Sequence, residues 1–394
     1  MPRVVSFERS LAQGRRGLAQ SVRERFKTAS ETRLGGRRMP SGKYASLRDV
    51  AERSGVSFQT AGKVLNGAEV RVTPGTAQRI FEAASELGYL PNALARSLLR
   101  QATHTIGLVI GNVTDAALAR VAVGVQDEAR LRGNAILLAS LPSSETHGAA
   151  VVQMLFERRV DGIIVAPPQL EEDFEFVGLL RGSVPAVTLQ HIPGGGVPFV
   201  GNDDRQAGRV AMEHLLGLGH RCIGTVTGPF RRWIVRSRLL GCQVSLREAG
   251  LEMGEDLVVE SDWTAAGGAV AVRVLLEREP RTTAVFVQSD EMAIGVLREL
   301  QRLGRRVPDD VAVVGCDDLP FAEHLSPSLS SVHIPFVEIG RVSVQVLLDR
   351  MGGKRSPTYT EFLPVSLAVR ESCGGRPEPV AAPEMGELRP LEAC

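Results

Sequence analysis

The side chains best placed to do chemistry cluster early in the chain: Ser57, Phe58, Gln59, Thr60 and Lys63, within SLRDVAERSGVSFQTAGK over residues 46–63. Their chemistry is recognition rather than catalysis. Val50 and Ala51 give a first short helix an apolar side, and Gly55 supplies a tight turn. Ser57 caps a second helix that begins at Phe58. A helix held in this way, with polar and cationic residues on its free side, fits the major groove of DNA. Double-stranded DNA is the expected partner.

Charge supports the same partner. The 394 residues carry a net charge of only +1, but residues 1–100 hold 18 Lys+Arg against 8 Asp+Glu, and the remainder holds 28 against 37. A basic head attracts phosphate, and an acidic body limits indiscriminate binding. Residues 46–89 form a compact three-helix unit. Its third helix starts at Thr73-Pro74, runs through Ile80, Phe81, Ala84 and Leu87, and stops at Gly88. Residues 91–100 (PNALARSLLR) form a helix too short to be stable alone, one that folds when docked on something.

From about residue 104 the pattern becomes strands alternating with helices. Apolar strands are expected at 105–110, 134–138, 161–165, 184–189, 222–226, 284–287 and 311–315, with a helix over 116–132. Near-continuous apolar strands between helices mean buried parallel sheet covered on both faces. There is enough for two doubly wound lobes, with a ligand between them at the strand ends.

The ends of the chain read differently. Residues 1–38 hold 10 Arg+Lys and 3 acids with little periodicity. They read either as a disordered basic arm or as sequence upstream of a natural start at Met39, with the second reading favoured. The tail from about 374 is rich in Pro, Glu and Gly and carries no leucine heptads; it is expected to be disordered. The N-terminus lacks an apolar signal core and no apolar run reaches membrane-span length, so a cytoplasmic, nucleoid-associated protein is expected. Cys222, Cys242, Cys316, Cys373 and Cys394 show no metal or disulfide spacing, and no metal or cofactor is expected.

These segments together resemble the lactose-repressor (LacI/GalR) family of bacterial transcription regulators. The resemblance spans about 46–372. It rests on SLRDVAERSGVSFQTAGKVLNG, on RVTPGTAQRIFEAASELGYLPNALARSLL, on SDEMAIGVLRELQRLGRRVPDDVAVVGCDDLP and on PSLSSVHIP. It implies an all-α helix-turn-helix headpiece (46–90), a hinge helix and linker (91–103) and a two-lobed α/β core like that of periplasmic binding proteins (104–373).

By resemblance, Phe58 and Gln59 occupy the positions that select operator bases. Gln bonds bidentately to adenine, and an aromatic edge packs on a thymine methyl. Ser57, Thr60, Lys63 and Asn66 complete the reading face. Lys63 stands where the family usually has Arg, and Gly62 replaces the usual Ser, so the operator is expected to depart from the family norm. Asn92, Ala95, Arg96 and Leu98 match the hinge, whose leucines wedge into the minor groove from the two subunits of a homodimer.

The same resemblance assigns the effector site. Arg238 matches the family's R-x-x-G arginine, Asp290 its (N/S)D-x-MA acid, and Trp263 an aromatic that covers a ligand face. A guanidinium and a carboxylate bind vicinal hydroxyls while an indole stacks on a sugar ring, which suits a carbohydrate or related polyol. Asp203 is expected to brace Arg238 or touch ligand, and Arg232 is a further candidate suited to an anionic group. Alternatively, Arg238 and Asp290 are an ordinary interlobe ion pair and Trp263 is core. Cys242 and Cys316 replace family aromatics beside the pocket.

The implied activity is a repressor whose operator affinity is switched by a small effector through thermodynamic linkage. Release by a sugar is favoured over corepression. The competing readings are a corepressor-type regulator of a non-sugar metabolite, a two-lobed sugar-binding protein without a regulatory role, and an enzyme. No GxGxxG after a strand, P-loop or HExxH motif supports the last.

Overall fold

The computed structural model describes residues 45–66, 70–89, 102–141, 148–166, 173–182, 184–189, 191, 196–356 and 358–375. They fall into two compact units that divide between residues 100 and 101. The expected hinge residues Asn92, Ala95, Arg96 and Leu98, the basic extension up to residue 44 and the tail beyond residue 375 lie outside the described residues.

Among the described residues the first unit holds three helices: α1 (Leu47–Ser54), α2 (Phe58–Asn66) and α3 (Pro74–Glu86). Each starts where local chemistry starts it. Ser46 and Asp49 form a reciprocal capping box on α1, and Gly55 closes it in the left-handed conformation (φ 69°). Ser57 Oγ accepts from the Thr60 amide at 3.1 Å. Thr73 Oγ1 accepts from the Thr76 amide, with Pro74 in the first turn of α3. Val50, Ala51, Ala61, Val64, Ile80, Ala83, Ala84 and Tyr89 make the core. One helix of eight or nine residues is unstable alone; three sharing an apolar centre hold each other.

The second unit contains two six-stranded sheets. In chain order its elements are β1 (Thr105–Ile110), α4 (Ala116–Leu131), β2 (Ala135–Ser140), α5 (Ala149–Glu157), β3 (Gly162–Val165), α6 (Phe174–Gly182), β4 (Ala186–Thr188), β5 (Phe199–Asn202), α7 (Asp204–Gly217), β6 (Ile223–Thr227), α8 (Trp233–Glu248), β7 (Val258–Glu260), α9 (Ala265–Arg278), β8 (Ala284–Val287), α10 (Asp290–Arg302), β9 (Ala312–Asp317), β10 (Ser330–His333), α11 (Phe336–Met351), β11 (Thr360–Leu363) and β12 (Ser366–Ala368). The strand orders are β11-β5-β4-β3-β1-β2 and β12-β10-β9-β8-β6-β7. The first sheet is parallel throughout. The second is parallel except at β12, which runs antiparallel to β10. This departs from the all-parallel expectation. The chain reaches β12 directly from β11 of the other sheet, without the crossover helix that returns a strand in the parallel direction.

Strand alternation explains the layers. On β8, Ala284 and Phe286 face a core shared with α7 and α8, while Val285 and Val287 face one shared with α9 and α10. On the first sheet, α4 and α11 cover one face and α5 and α6 the other. Three helix pairs meet through reciprocal glycines. A Cβ on Gly124 of α4 would overlap the Val337 carbonyl of α11, and one on Gly340 the Val121 carbonyl. Gly208 and Gly241 play the same parts between α7 and α8, and Gly268 and Gly295 between α9 and α10. Backbone approaches this close admit no side chain.

The chain passes between the two sheets three times: from β5 to α7, from β10 to α11 and from β11 to β12. The two lobes are therefore built from discontinuous sequence, with the ends of the first sheet's parallel strands opening on the space between them.

Candidate functional site

The reading helix α2 turns Ala61 and Val64 inward and leaves Ser57, Phe58, Gln59 and Lys63 exposed. Phe58 is the telling residue: a phenylalanine 56% exposed costs solubility unless a partner covers it. Thr60 is half-buried and shares a 2.8 Å hydroxyl contact with Ser57, so it helps set the cap. Asn66 is the half-buried last residue of the helix. Gly62 is half-buried, with the Leu47 side chain of α1 within 3.2 Å of where a Cβ would sit. Its place is the α1–α2 contact rather than the free face.

The second unit holds a cavity of about 470 Å³ between its lobes, within the usual range for a small-molecule site. Ala166, Leu189, His191 and Asn202 line it from the carboxyl ends of β3, β4 and β5. Leu118 and Val121 come from α4, Phe336 and Ile339 from α11, Phe199 from β5 and Phe362 from the edge strand β11. Asp203, Asp204 and Arg205 line it from the start of α7, and Trp233, Arg236, Ser237 and Arg238 from the first half of α8. Most of the wall is apolar or aromatic, and its charge is concentrated on α7 and α8.

Arg238 is the electrostatic centre. It is buried, and its Nε donates to Asp204 Oδ1 at 3.0 Å. Its Nη1 donates to the Gln288 carbonyl at 2.7 Å and lies 4.0 Å from Asp317 Oδ1. Burial opposes its charge, but the acids around it prevail and hold its pKa above the ordinary value. Asp317 is buried beside it, and burial drives that carboxyl well above the usual carboxylate range, against the pull of Arg238. Asp317, the last residue of β9, and Asp318 after it have φ of 118° and 51°. Two successive non-glycine residues in that region store strain of order 1–3 kcal/mol each, a cost typical of functional sites.

The expected effector residues do not all converge. Arg238 and Asp203 line the cavity. Asp203 caps α7 by accepting from the Gln206 amide at 3.0 Å, and it is Asp204, one residue on, that braces Arg238. Asp290 is fully buried behind the wall: its carboxylate accepts from Ser331 Oγ at 2.6 Å and the Leu319 amide at 2.8 Å. Burial raises its pKa to about 7. Trp263 packs on the α9–α10 side of the second sheet, its ring seated on Gly228 in space a Cβ would fill. Arg232 occupies the N-cap of α8, next to the cavity-lining Trp233. Cys242 and Cys316 are buried, and burial pushes the Cys242 thiol up to about 12.

Sequence reading missed Asp204, Asp317, His191 and Trp233. The first two carried a signal in the doublets Asp203-Asp204 and Asp317-Asp318, where the neighbour took the expected role or none was assigned. The His191 and Trp233 rings stack at 4.0 Å with an interplanar angle of 18°, joining residues from different lobes. Among the described residues no group of acids, histidines and cysteines could hold a metal ion, and no helix is long and apolar enough to cross a membrane.

A helix-turn-helix unit joined in one chain to a two-lobed ligand-binding core defines a ligand-responsive DNA-binding regulator. The sequence pattern of the bacterial regulatory proteins of the lacI family matches residues 46–92, and that of a periplasmic binding protein-like domain matches 212–373. The chain is 36% identical to the HTH-type transcriptional regulator CelR of Thermobifida fusca, over 83% of this chain and 98% of that protein. It is 31% identical to the repressor PurR of Vibrio campbellii over the same shares, and 32% identical to the ribose operon repressor of Escherichia coli over 78% and 93%. Among solved structures, a lac repressor dimer bound to operator and the anti-inducer ONPF aligns with a TM-score of 0.77 at 29% identity, covering 84% of this chain and 99% of that one. A CelR–cellobiose complex aligns at 0.64 and 34%, covering 83% and 99%.

The chain belongs to the lacI family and is a DNA-binding transcriptional regulator with an effector-binding core. Its relatives are DNA-binding repressors rather than enzymes.

Proposed function

We propose that this protein is a cytoplasmic homodimeric repressor released from a pseudo-palindromic operator by a carbohydrate bound in the interlobe cavity. The observation that carries the reading is the single charged end of an otherwise apolar and aromatic cavity, centred on the buried Arg238–Asp204 pair. Guanidinium and carboxylate bind the hydroxyl-bearing edge of a sugar ring, and the aromatic wall takes its C–H face. The cellobiose-bound relative and the ribose operon repressor support the same ligand class.

In this reading Arg238 and Asp203 touch the ligand. Asp290 is a positioning residue, holding the strained turn after β9 through Leu319 and Ser331. Trp263 shapes the Gly228 loop from behind the wall, and Arg232 stands at the N-cap of α8 beside the cavity. On the DNA side, Phe58, Gln59 and Lys63 face the operator, Ser57 and Thr60 hold the helix start, and Asn66 marks its end. Residues 91–103, with Asn92, Ala95, Arg96 and Leu98, carry the hinge. Effector binding alters the relation of the lobes and thereby the dimer's affinity for DNA.

The test is a gel-shift on DNA upstream of the gene's own operon, with and without a panel of sugars, paired with a thermal-shift screen of the same panel. Binding that a sugar weakens is expected. Binding that no sugar in the panel alters would remove the sugar reading, and a sugar that strengthens binding would reverse its sign.

A further inference from the structure

The one aromatic stack between the lobes, among the described residues, lines the cavity already assigned to the effector. His191 follows β4 of the first sheet, and Trp233 opens α8, which follows β6 of the second. The rings lie parallel at 4.0 Å, and both line the cavity. Trp233 is 40% exposed, so its indole has a face that water or a ligand can reach. An imidazole is a small flat ring. Laid on an indole in the wall of a ligand site, it occupies the position that a sugar's C–H face would take.

We propose that Trp233 is the ring platform of the effector site, and that His191 is its ligand-free occupant, displaced when a pyranose or furanose ring stacks in its place. The proposal rests on the sugar reading of the cavity. It moves the aromatic contact from Trp263, which is seated on Gly228, to Trp233. It also gives the site a built-in competitor: any effector must replace the His191 stack, so ligands without a flat apolar face bind poorly.

The stack has an optical signature. The chain has two tryptophans, Trp233 and Trp263, so Trp263→Phe leaves Trp233 as the single reporter. A protonated imidazole in contact with an indole quenches its emission. Burial lowers the His191 pKa, so the quenching transition falls below the ordinary imidazole range. The other charged groups lining the cavity are Asp203, Asp204 and Arg205 on α7 and Arg236 and Arg238 on α8; α4, α11 and β11 bring apolar side chains only.

The experiment uses the full chain in the Trp263→Phe background. Without ligand, emission is titrated from pH 8 to pH 5 with and without His191→Ala. The expected result is quenching on acidification that the His191→Ala variant abolishes. Emission and titration unchanged by His191→Ala would overturn the stack. Cellobiose, ribose and glucose are then tested by thermal shift and by the same titration. A sugar that binds is expected to erase the quenching, to bind Trp233→Ala at least tenfold more weakly, and to bind His191→Ala more tightly. Trp233→Phe, which keeps a ring, is expected to retain most of the affinity and covers the case in which Trp233→Ala fails to fold. A sugar held as tightly by Trp233→Ala as by the parent overturns the platform while leaving the sugar reading standing. If none of the three sugars binds, the platform for a sugar falls with the sugar reading, and the ligand-free titration still decides whether His191 covers Trp233.

Discussion

Gly241→Ala is the sharpest probe of how α8 presents Arg238. Gly241 lies one turn beyond Arg238, and a Cβ there would overlap the Arg205 carbonyl of α7. The obstacle is helix backbone, which cannot rotate aside as a side chain can. Overpacking in a tight core costs about 1–3 kcal/mol, and a backbone clash belongs at the upper end. Alanine returns about 1 kcal/mol through its better helix propensity. The net expectation is a loss of about 2 kcal/mol, which lowers the melting temperature of a unit this size by roughly 4–8 °C. Gly178→Ala is the matched control. It is also a helical glycine, in α6, but nothing lies within 4 Å of its would-be Cβ. It is expected to raise stability by about 1 kcal/mol, or roughly 2–4 °C. Prising α7 from α8 also separates Asp204 from Arg238, so Gly241→Ala should weaken the effector response more than operator binding. Thermal melts of both variants, with gel-shifts at saturating DNA, measure the contrast. Equal or higher stability of Gly241→Ala would refute the reciprocal-glycine packing.

Two further outcomes are expected. Gln59→Ala should relax sequence preference at one base pair per half-site by about 1–3 kcal/mol, while Lys63→Ala weakens binding to all sequences alike; selection from a randomised operator library separates the two. The folded protein raises the Asp290 pKa from 3.8 to about 7, so between those values it binds more protons than the unfolded chain. The Asp290 contribution to stability should therefore fall as pH rises from about 4 to about 7 and level off above. Asp290→Asn should make the pH dependence shallower in urea titrations across the range, leaving the part due to Asp317, and an unchanged slope would contradict the burial of Asp290.

Much of the fold was readable because local chemistry and tertiary structure agree. Ser57, Gly55 and Thr73-Pro74 set helix ends by their own hydrogen bonds and backbone preferences, so their neighbours in space added little. Continuous apolar runs such as β1 and β8 are buried on both faces and announce it. The strand Ser330–His333 does not, and it is not among the expected strands: Ser330 and Ser331 are polar yet fully buried because Cys373 and Asp290 satisfy their hydroxyls. Short strands such as β5, β7 and β12 gain their place from neighbours rather than from composition. The site divided in the same way. Arg238 stood out in its motif, but whether Asp203 or Asp204 braces it is a matter of which side of a helix cap each carboxylate leaves. The His191–Trp233 stack joins a loop residue to a helix start across two lobes, and no periodicity in the chain links them.

The three passages between lobes govern how the protein can be made. The first sheet has five of its strands once residue 202 is synthesised, but α11, which covers one of its faces, begins at residue 336, and its sixth strand at residue 360. At ribosomal speeds of about 5–20 residues per second, that lobe waits roughly 7–27 s with one apolar face covered by α4 alone. Neither lobe can finish before the other is nearly complete, so they mature as one late, joint event. A nascent chain stalled anywhere in that interval offers an open β-surface, a demand on chaperones that a chain of two consecutive lobes would avoid.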